Sequence, residues 1–288
     1  MRHYCTLFDS ESQDRGLALH QSLVRHGGEF DLVILALDEA TGRELHARRL
    51  PQAKVVNLEA LTSAYPALAA ARGDRDWQEF RATCKPWLLR HLLPAVPSDQ
   101  WLTFLDADQY FLGSPEPVFE AIGQNASIAI LPYHYAPGLE HLATSGRYDS
   151  GWVSLKHDSI GMQCAADWAE QCAHWCFRVL EPTRFLDQKY LDAWPGRYPG
   201  TAVANLRSAG AGPWRLPGGQ LELTESGLKI GDEIFCAYHF SGLTRLGNAL
   251  YEANLHRYDL EPTPELRELI YLPYLRILQG GTHQDSFT

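Results

Sequence analysis

The chain lacks any run approaching the roughly 20 uninterrupted apolar residues that a membrane-spanning helix requires. Its first residues, MRHYCTLFDS, carry no charged-then-apolar secretory pattern, so a cytoplasmic location is expected. A basic excess is also missing: 25 Lys and Arg stand against 35 Asp and Glu in 288 residues, a net charge of −10. Binding to nucleic acid rests on a basic face that neutralises phosphates. No nucleic-acid partner is therefore expected, and a phosphorylated ligand would have to be held by a few positioned cations. The six cysteines form no CxxC pair and lie in apolar segments, which reads as reduced thiols. Cys172, His174 and Cys176 come closest to a zinc pattern, but in the helical-looking run DWAEQCAHWCFRVL residue 174 points away from the face that 172 and 176 share. A helix with buried cysteines is the expectation there. Internal repeats and low-complexity tracts are absent.

What the chain does have is alternation. Strand-length apolar runs bounded by polar turns recur at HYCTLF, FDLVILAL, KVVNL, WLTFLDAD, SIAILP, GWVSLKH and EIFCAYHF. Their near-continuous apolar character suits a sheet covered on both faces. Between the early strands lie helical patterns. In SQDRGLALHQSLVRH, Gly16, Leu19 and Leu23 share a face; in DWQEFRATCKPWLLRHLL, Trp77, Phe80, Cys84 and Leu88 do, and Pro86 should kink that helix or begin a new one. Strand–helix alternation through about residue 130 predicts a doubly wound α/β fold with right-handed crossovers.

From Arg178 to Gly219 the chain turns to proline, glycine and aromatics, which predicts short helices and ordered loops. Near the end, TPELRELIYLPYLRIL reads as a helix with Thr263 as N-cap. Its apolar residues have three possible destinations: the chain's own domain, a second copy in a homo-oligomer, or a membrane surface met peripherally, at its inner face.

WLTFLDADQY ends an apolar strand with Asp106 and Asp108. Residues two apart on an extended segment point the same way, and the carboxyl ends of strands form the ligand crevice of an open α/β sheet. The pair is well placed to hold a divalent cation against phosphate oxygens. Taken alone it reads first as a solvated acidic turn.

Five further segments, in fixed order around this pair, carry a resemblance. TLFDSESQDRGLALHQSL opens the chain and RATCKPWLL precedes the acids; YDSGWVSLK, FLDQKYLDAWP and HFSGLTR follow them. Together they resemble the glycosyltransferases of the GT-A fold, most closely the retaining branch that includes glycogenin and the bacterial galactosyl- and glucosyltransferases of surface polysaccharide assembly.

The resemblance implies a single GT-A domain over residues 1–255, with a Rossmann-like mixed sheet, and a C-terminal helical tail over 256–288. It implies a metal site of Asp106, Asp108 and His239, and catalytic positions at Asp187 and Gln188, with Gln188 below the anomeric carbon. Donor contacts are implied at Thr6, Phe8, Asp9, Lys85, Asp106, Ala107, Asp149, Ser150, Gly151, Gly242 and Arg245, with Lys85 and Arg245 on the diphosphate. The implied cofactors are manganese, with magnesium as the alternative, and a nucleotide-sugar, UDP-hexose in first place. The implied partner is a glycan or lipid-linked acceptor hydroxyl, and the expected reaction retains configuration in polysaccharide biosynthesis. Two alternatives stay open: a sugar nucleotidyltransferase, and a non-catalytic nucleotide-sugar or metal-binding relative.

The sequence departs from the family at three places. Arg245 stands where the family has lysine, and Asp149 where it has asparagine. In the base-binding turn, Ser10 and Gln13 replace the usual asparagine and aromatic, so uracil is not dictated.

Overall fold

The computed structural model describes residues 1–206, 208–215, 221–225, 227–247 and 250–280. The first half alternates as expected: β1 (Arg2–Phe8), α1 (Gln13–His26), β2 (Phe30–Ala36), α2 (Glu39–Arg48), β3 (Ala53–Asn57), α3 (Leu58–Ala64), α4 (Pro66–Ala71), α5 (Trp77–Leu92) and β4 (Trp101–Leu105). There follow β5 (Gln109–Phe111), α6 (Glu116–Ile122), β6 (Ile128–Pro132), β7 (Tyr148–Lys156), α7 (Ser159–His174), α8 (Trp194–Arg197) and β8 (Thr201–Val203).

Seven strands form one mixed sheet in the order β3-β2-β1-β4-β7-β6-β8. β1 lies parallel to both β2 and β4, while β7 runs antiparallel to β4 and β6. Side chains alternate along β1, so Cys5 and Leu7 join a core with α5 and α7, and Tyr4 and Phe8 join one with α1 on the opposite face. The close approach of α1 to the sheet requires Gly16, because a Cβ there would lie 2.2 Å from Cε1 of the Phe8 ring. The side chains of Thr6 and Phe8 are fully buried in this sheet.

Pro86 does not break its helix. α5 runs unbroken from Trp77 to Leu92 because the side chains around the proline, Cys84, Lys85, Trp87 and Leu88, are all buried, and that packing outweighs one lost backbone hydrogen bond. EIFCAYHF is likewise not one strand. Glu233–Ile234 completes a small antiparallel sheet with Leu221–Thr224 and Gly227–Ile230; after Phe235 and Cys236, Ala237–His239 pairs instead with β5. The loops and short helices expected from Arg178 onward are present, with residues 207 and 216–219 outside the described set.

The C-terminal segment begins at Thr263, whose hydroxyl accepts the Leu266 N–H, and continues through a π-helical turn into Leu272–Leu278. Its apolar residues Leu266, Ile270, Tyr271, Tyr274, Ile277 and Leu278 are buried with Tyr110, Tyr238 and Phe240 in a third core. Phe240 and Tyr274 stack with ring centroids 3.7 Å apart. These side chains are covered by the chain's own domain. Residues 281–288 of the predicted tail lie outside the described residues. Among the described residues no helix is long and apolar enough to cross a membrane.

Candidate metal and phosphate site

The sheet order reverses at β1, which has β2 on one side and β4 on the other. Chain segments diverge there and leave a crevice at the strand ends. Asp9 leaves β1 and Asp106 leaves β4 at that point.

Two strand registers then assemble the site. β4 pairs with β7 so that Leu105 opposes Trp152, which brings Asp106 beside the Asp149–Gly151 stretch. β5 pairs with Ala237–His239 so that Gln109 opposes His239, which brings the imidazole beside Asp108. The Gly151 carbonyl accepts both the Asp106 N–H and Gln109 Nε2, each at 2.8 Å, and so fixes the turn that carries the acids. Gly151 lies directly under the cluster: a Cβ there would be 2.6 Å from His239 Cε1, 2.8 Å from Asp106 Oδ2 and 2.9 Å from Asp149 Oδ1.

Asp106, Asp108 and His239 present one ligand atom each within 4.8 Å of one another. His239 Nε2 lies 3.1 Å from Asp108 Oδ1 and 3.9 Å from Asp106 Oδ2. On its other side Nδ1 lies 3.0 Å from Asp149 Oδ2. Burial works against a charged ring, but Asp149 and Asp108 together hold the His239 proton well above the ordinary histidine range. A cation bound at Nε2 would take the place of that proton. Burial also works against ionised Asp108, yet His239, Arg15 and Arg81 pull its carboxyl below the usual range; for Asp106 burial prevails over Lys85 and His239, and its pKa is raised. Two carboxylate oxygens and one imidazole nitrogen form a donor set that fits manganese or magnesium.

Lys85 is not a free cation. It is 5% exposed, its Nζ lies 3.0 Å from Asp187 Oδ2 and 3.3 Å from Asp106 Oδ1, and it donates to the Ser150 carbonyl and hydroxyl at 3.1 Å. Burial alone would lower its pKa, but Asp106 and Asp187 raise it, so it stays charged. Gln188 lines the pocket and donates from Nε2 to the Ser145 carbonyl at 2.8 Å.

Asp9 is buried, takes the Trp77 indole N–H at 2.6 Å and accepts the Ser12 N–H at 3.0 Å. Gly242, at φ +84°, lies outside the pocket wall. Arg245 lies outside it as well, half exposed and 3.9 Å from Asp14.

The pocket itself encloses about 200 Å³, and its wall includes Ala107, Ser150, Tyr133, Ser12 and Ser241 beside the acids. Arg15 and Arg81 also line it, and nothing in the sequence patterning singled them out. A second cleft of about 770 Å³ is lined in part by Asp38, Asn57, Arg72 and Trp77, whose indole N–H donates to Asp9.

The galactosyltransferase LgtC, crystallised with donor and acceptor sugar analogues, superposes with a TM-score of 0.52 over 92% of this chain and 98% of its own, at 14% identity. The fold is GT-A. An active-site glutamine-to-glutamate mutant of LgtC gives a TM-score of 0.50 over 89% and 94% of the two chains, at 13% identity. In sequence, the uncharacterised protein YfnF of Bacillus subtilis (strain 168) is 28% identical over 246 residues, 83% of this chain and 80% of its own. No family model matches the chain. The crevice lies where Asp9 leaves β1 and where the Asp106–Asp108 turn links β4 to β5, and the second chain half supplies Asp149, Gln188 and His239 to it.

Proposed function

We propose that the protein is a metal-dependent glycosyltransferase that moves a hexose from a nucleotide-sugar, UDP-hexose in first place, to a hydroxyl of a glycan or lipid-linked acceptor. The observation that carries this reading is the convergence of Asp106, Asp108 and His239 at the strand ends of a GT-A sheet. In this reading they hold manganese or magnesium, which when bound offsets the charge of the donor diphosphate and of the departing nucleotide. The likeness to LgtC, solved with donor and acceptor sugar analogues, supports a sugar hydroxyl as acceptor.

The chain's own residues divide the remaining work. Asp187 and Asp106 clamp Lys85 and set the floor of the sugar site. Gln188 has its amide nitrogen tied to Ser145, which leaves the amide oxygen for the donor sugar. Glutamine is a poor nucleophile, so retention proceeds by front-face displacement assisted by the leaving phosphate rather than through a glycosyl-enzyme. The larger cleft beyond Trp77 takes the nucleoside.

The test is chromatographic detection of UDP from UDP-hexoses incubated with the protein, Mn2+ and candidate acceptors, with proton NMR of the purified, metal-free product for its linkage. Release of UDP, with an α-linkage from an α-donor, is expected. Pyrophosphate release from a nucleoside triphosphate and a sugar phosphate would favour a nucleotidyltransferase, and binding without turnover a non-catalytic relative.

A further inference from the structure

We infer that Arg15 and Arg81 are the residues that grip the diphosphate in this chain, in place of Lys85 and Arg245. The inference rests on the nucleotide-sugar reading above and assigns the phosphate contacts within it. A diphosphate beside a metal held by two carboxylates still needs cations, because those carboxylates repel it. Lys85 is committed to Asp106, Asp187 and Ser150, and Arg245 lies in a different part of the surface beside Asp14. Among the described residues, Arg15 and Arg81 are the arginines or lysines that line the pocket with the three metal-ligand candidates.

Both are poised rather than saturated. Arg15 comes from the first turns of α1, and its Nη2 donates to the Leu243 carbonyl at 2.7 Å, which aims the guanidinium along the pocket wall. Its Nε–H is buried without an acceptor. Arg81 comes from α5, one turn before Lys85, with its side chain 34% exposed and its closest carboxylate, Asp9, 4.0 Å away, beyond hydrogen-bond reach. Two guanidinium forks facing a metal triad can each take two phosphate oxygens, a geometry that a lysine cannot reproduce.

Calorimetric titration of the full chain with Mn2+ alone, and then with UDP or inorganic pyrophosphate in the presence of Mn2+, tests this. Pyrophosphate makes the result independent of the base. Arg15→Gln and Arg81→Gln should each weaken UDP and pyrophosphate binding about tenfold to a hundredfold. Both should leave Mn2+ alone bound as tightly or more tightly, since a positive neighbour of the triad has gone. Arg245→Gln should change neither. Arg81 is partly exposed, so its variant should fold normally, and Arg81→Lys should recover only part of the affinity. Wild-type diphosphate affinity in both glutamine variants, or a loss in Arg245→Gln alone, would overturn the assignment while leaving the nucleotide-sugar reading intact. Failure of the wild-type protein to bind either diphosphate with Mn2+ would overturn both.

Discussion

Asp149 Oδ2 lies 3.0 Å from Nδ1 of His239, on the side of the ring away from Asp108. A carboxylate in this position fixes which nitrogen carries the proton and leaves Nε2 to face a metal. Asp149 is 1% exposed, and its other oxygen accepts the Gly151 N–H at 2.8 Å. Both of its oxygens therefore have donors. Asn at this position can satisfy only one of them, and turning its NH2 toward His239 would force the other tautomer. Asp149→Asn is expected to weaken Mn2+ binding about tenfold to a hundredfold, read by calorimetry. Unchanged affinity would mean that the ring is oriented by packing alone, against Trp214 for example, whose ring centroid lies 5.3 Å away.

Gly151 should tolerate no side chain. Gly151→Ala puts a methyl between His239, Asp106 and Asp149, and overpacking of this kind costs about 1–3 kcal/mol. The expected outcome is a folded protein whose melting temperature no longer rises with Mn2+. Gly196→Ala, where a Cβ meets nothing within 4 Å, is the control and should keep the metal response.

Lys85 is predicted to matter for folding as well as for the site. Lys85→Met removes the partner of Asp187, which is only 4% exposed. Stranding one member of a buried ion pair costs about 3–5 kcal/mol, measurable as a lower urea midpoint. The double variant Lys85→Met, Asp187→Leu should regain much of that stability without regaining donor binding.

Much of this was legible in the sequence, for identifiable reasons. WLTFLDAD reads as a strand ending in acids because apolar runs and turn residues act over a few positions, and β4 and the Asp106–Asp108 turn follow from them. The α1 face with Gly16, Leu19 and Leu23 is legible from its period. Gln109 and Tyr110 are explained only by the structure: one holds the Gly151 carbonyl, and the other packs against Tyr274, ring centroids 5.4 Å apart. Arg15 and Arg81 are not legible, since an arginine on an amphipathic helix looks solvated until the sheet order brings two helices to one crevice. The split of EIFCAYHF at Phe235–Cys236 is hidden because both pieces are apolar and only their partners differ.

His20 gives the fold a pH dependence on the acid side. It is 5% exposed with Nε2 2.8 Å from the Pro51 carbonyl, and burial holds its pKa below the ordinary value of 6.5 despite that hydrogen bond. The unfolded chain therefore binds the proton first as pH falls. The contribution to stability is present above pH 6.5 and declines as pH drops toward the lower folded-state pKa. Urea midpoints at mildly alkaline and mildly acidic pH should fall less, across that interval, in His20→Gln than in the wild type.

The central claim is that Asp106, Asp108 and His239 hold a divalent metal that works with a nucleotide-sugar. Electron paramagnetic resonance of free Mn2+, titrated with the protein in the presence and absence of UDP-hexose, tests it most directly. The wild-type protein should deplete the free-ion signal at a single site, more strongly with UDP-hexose present, and Asp108→Asn should not. Equal depletion by both proteins, or none by the wild type with any nucleotide-sugar, would contradict the account.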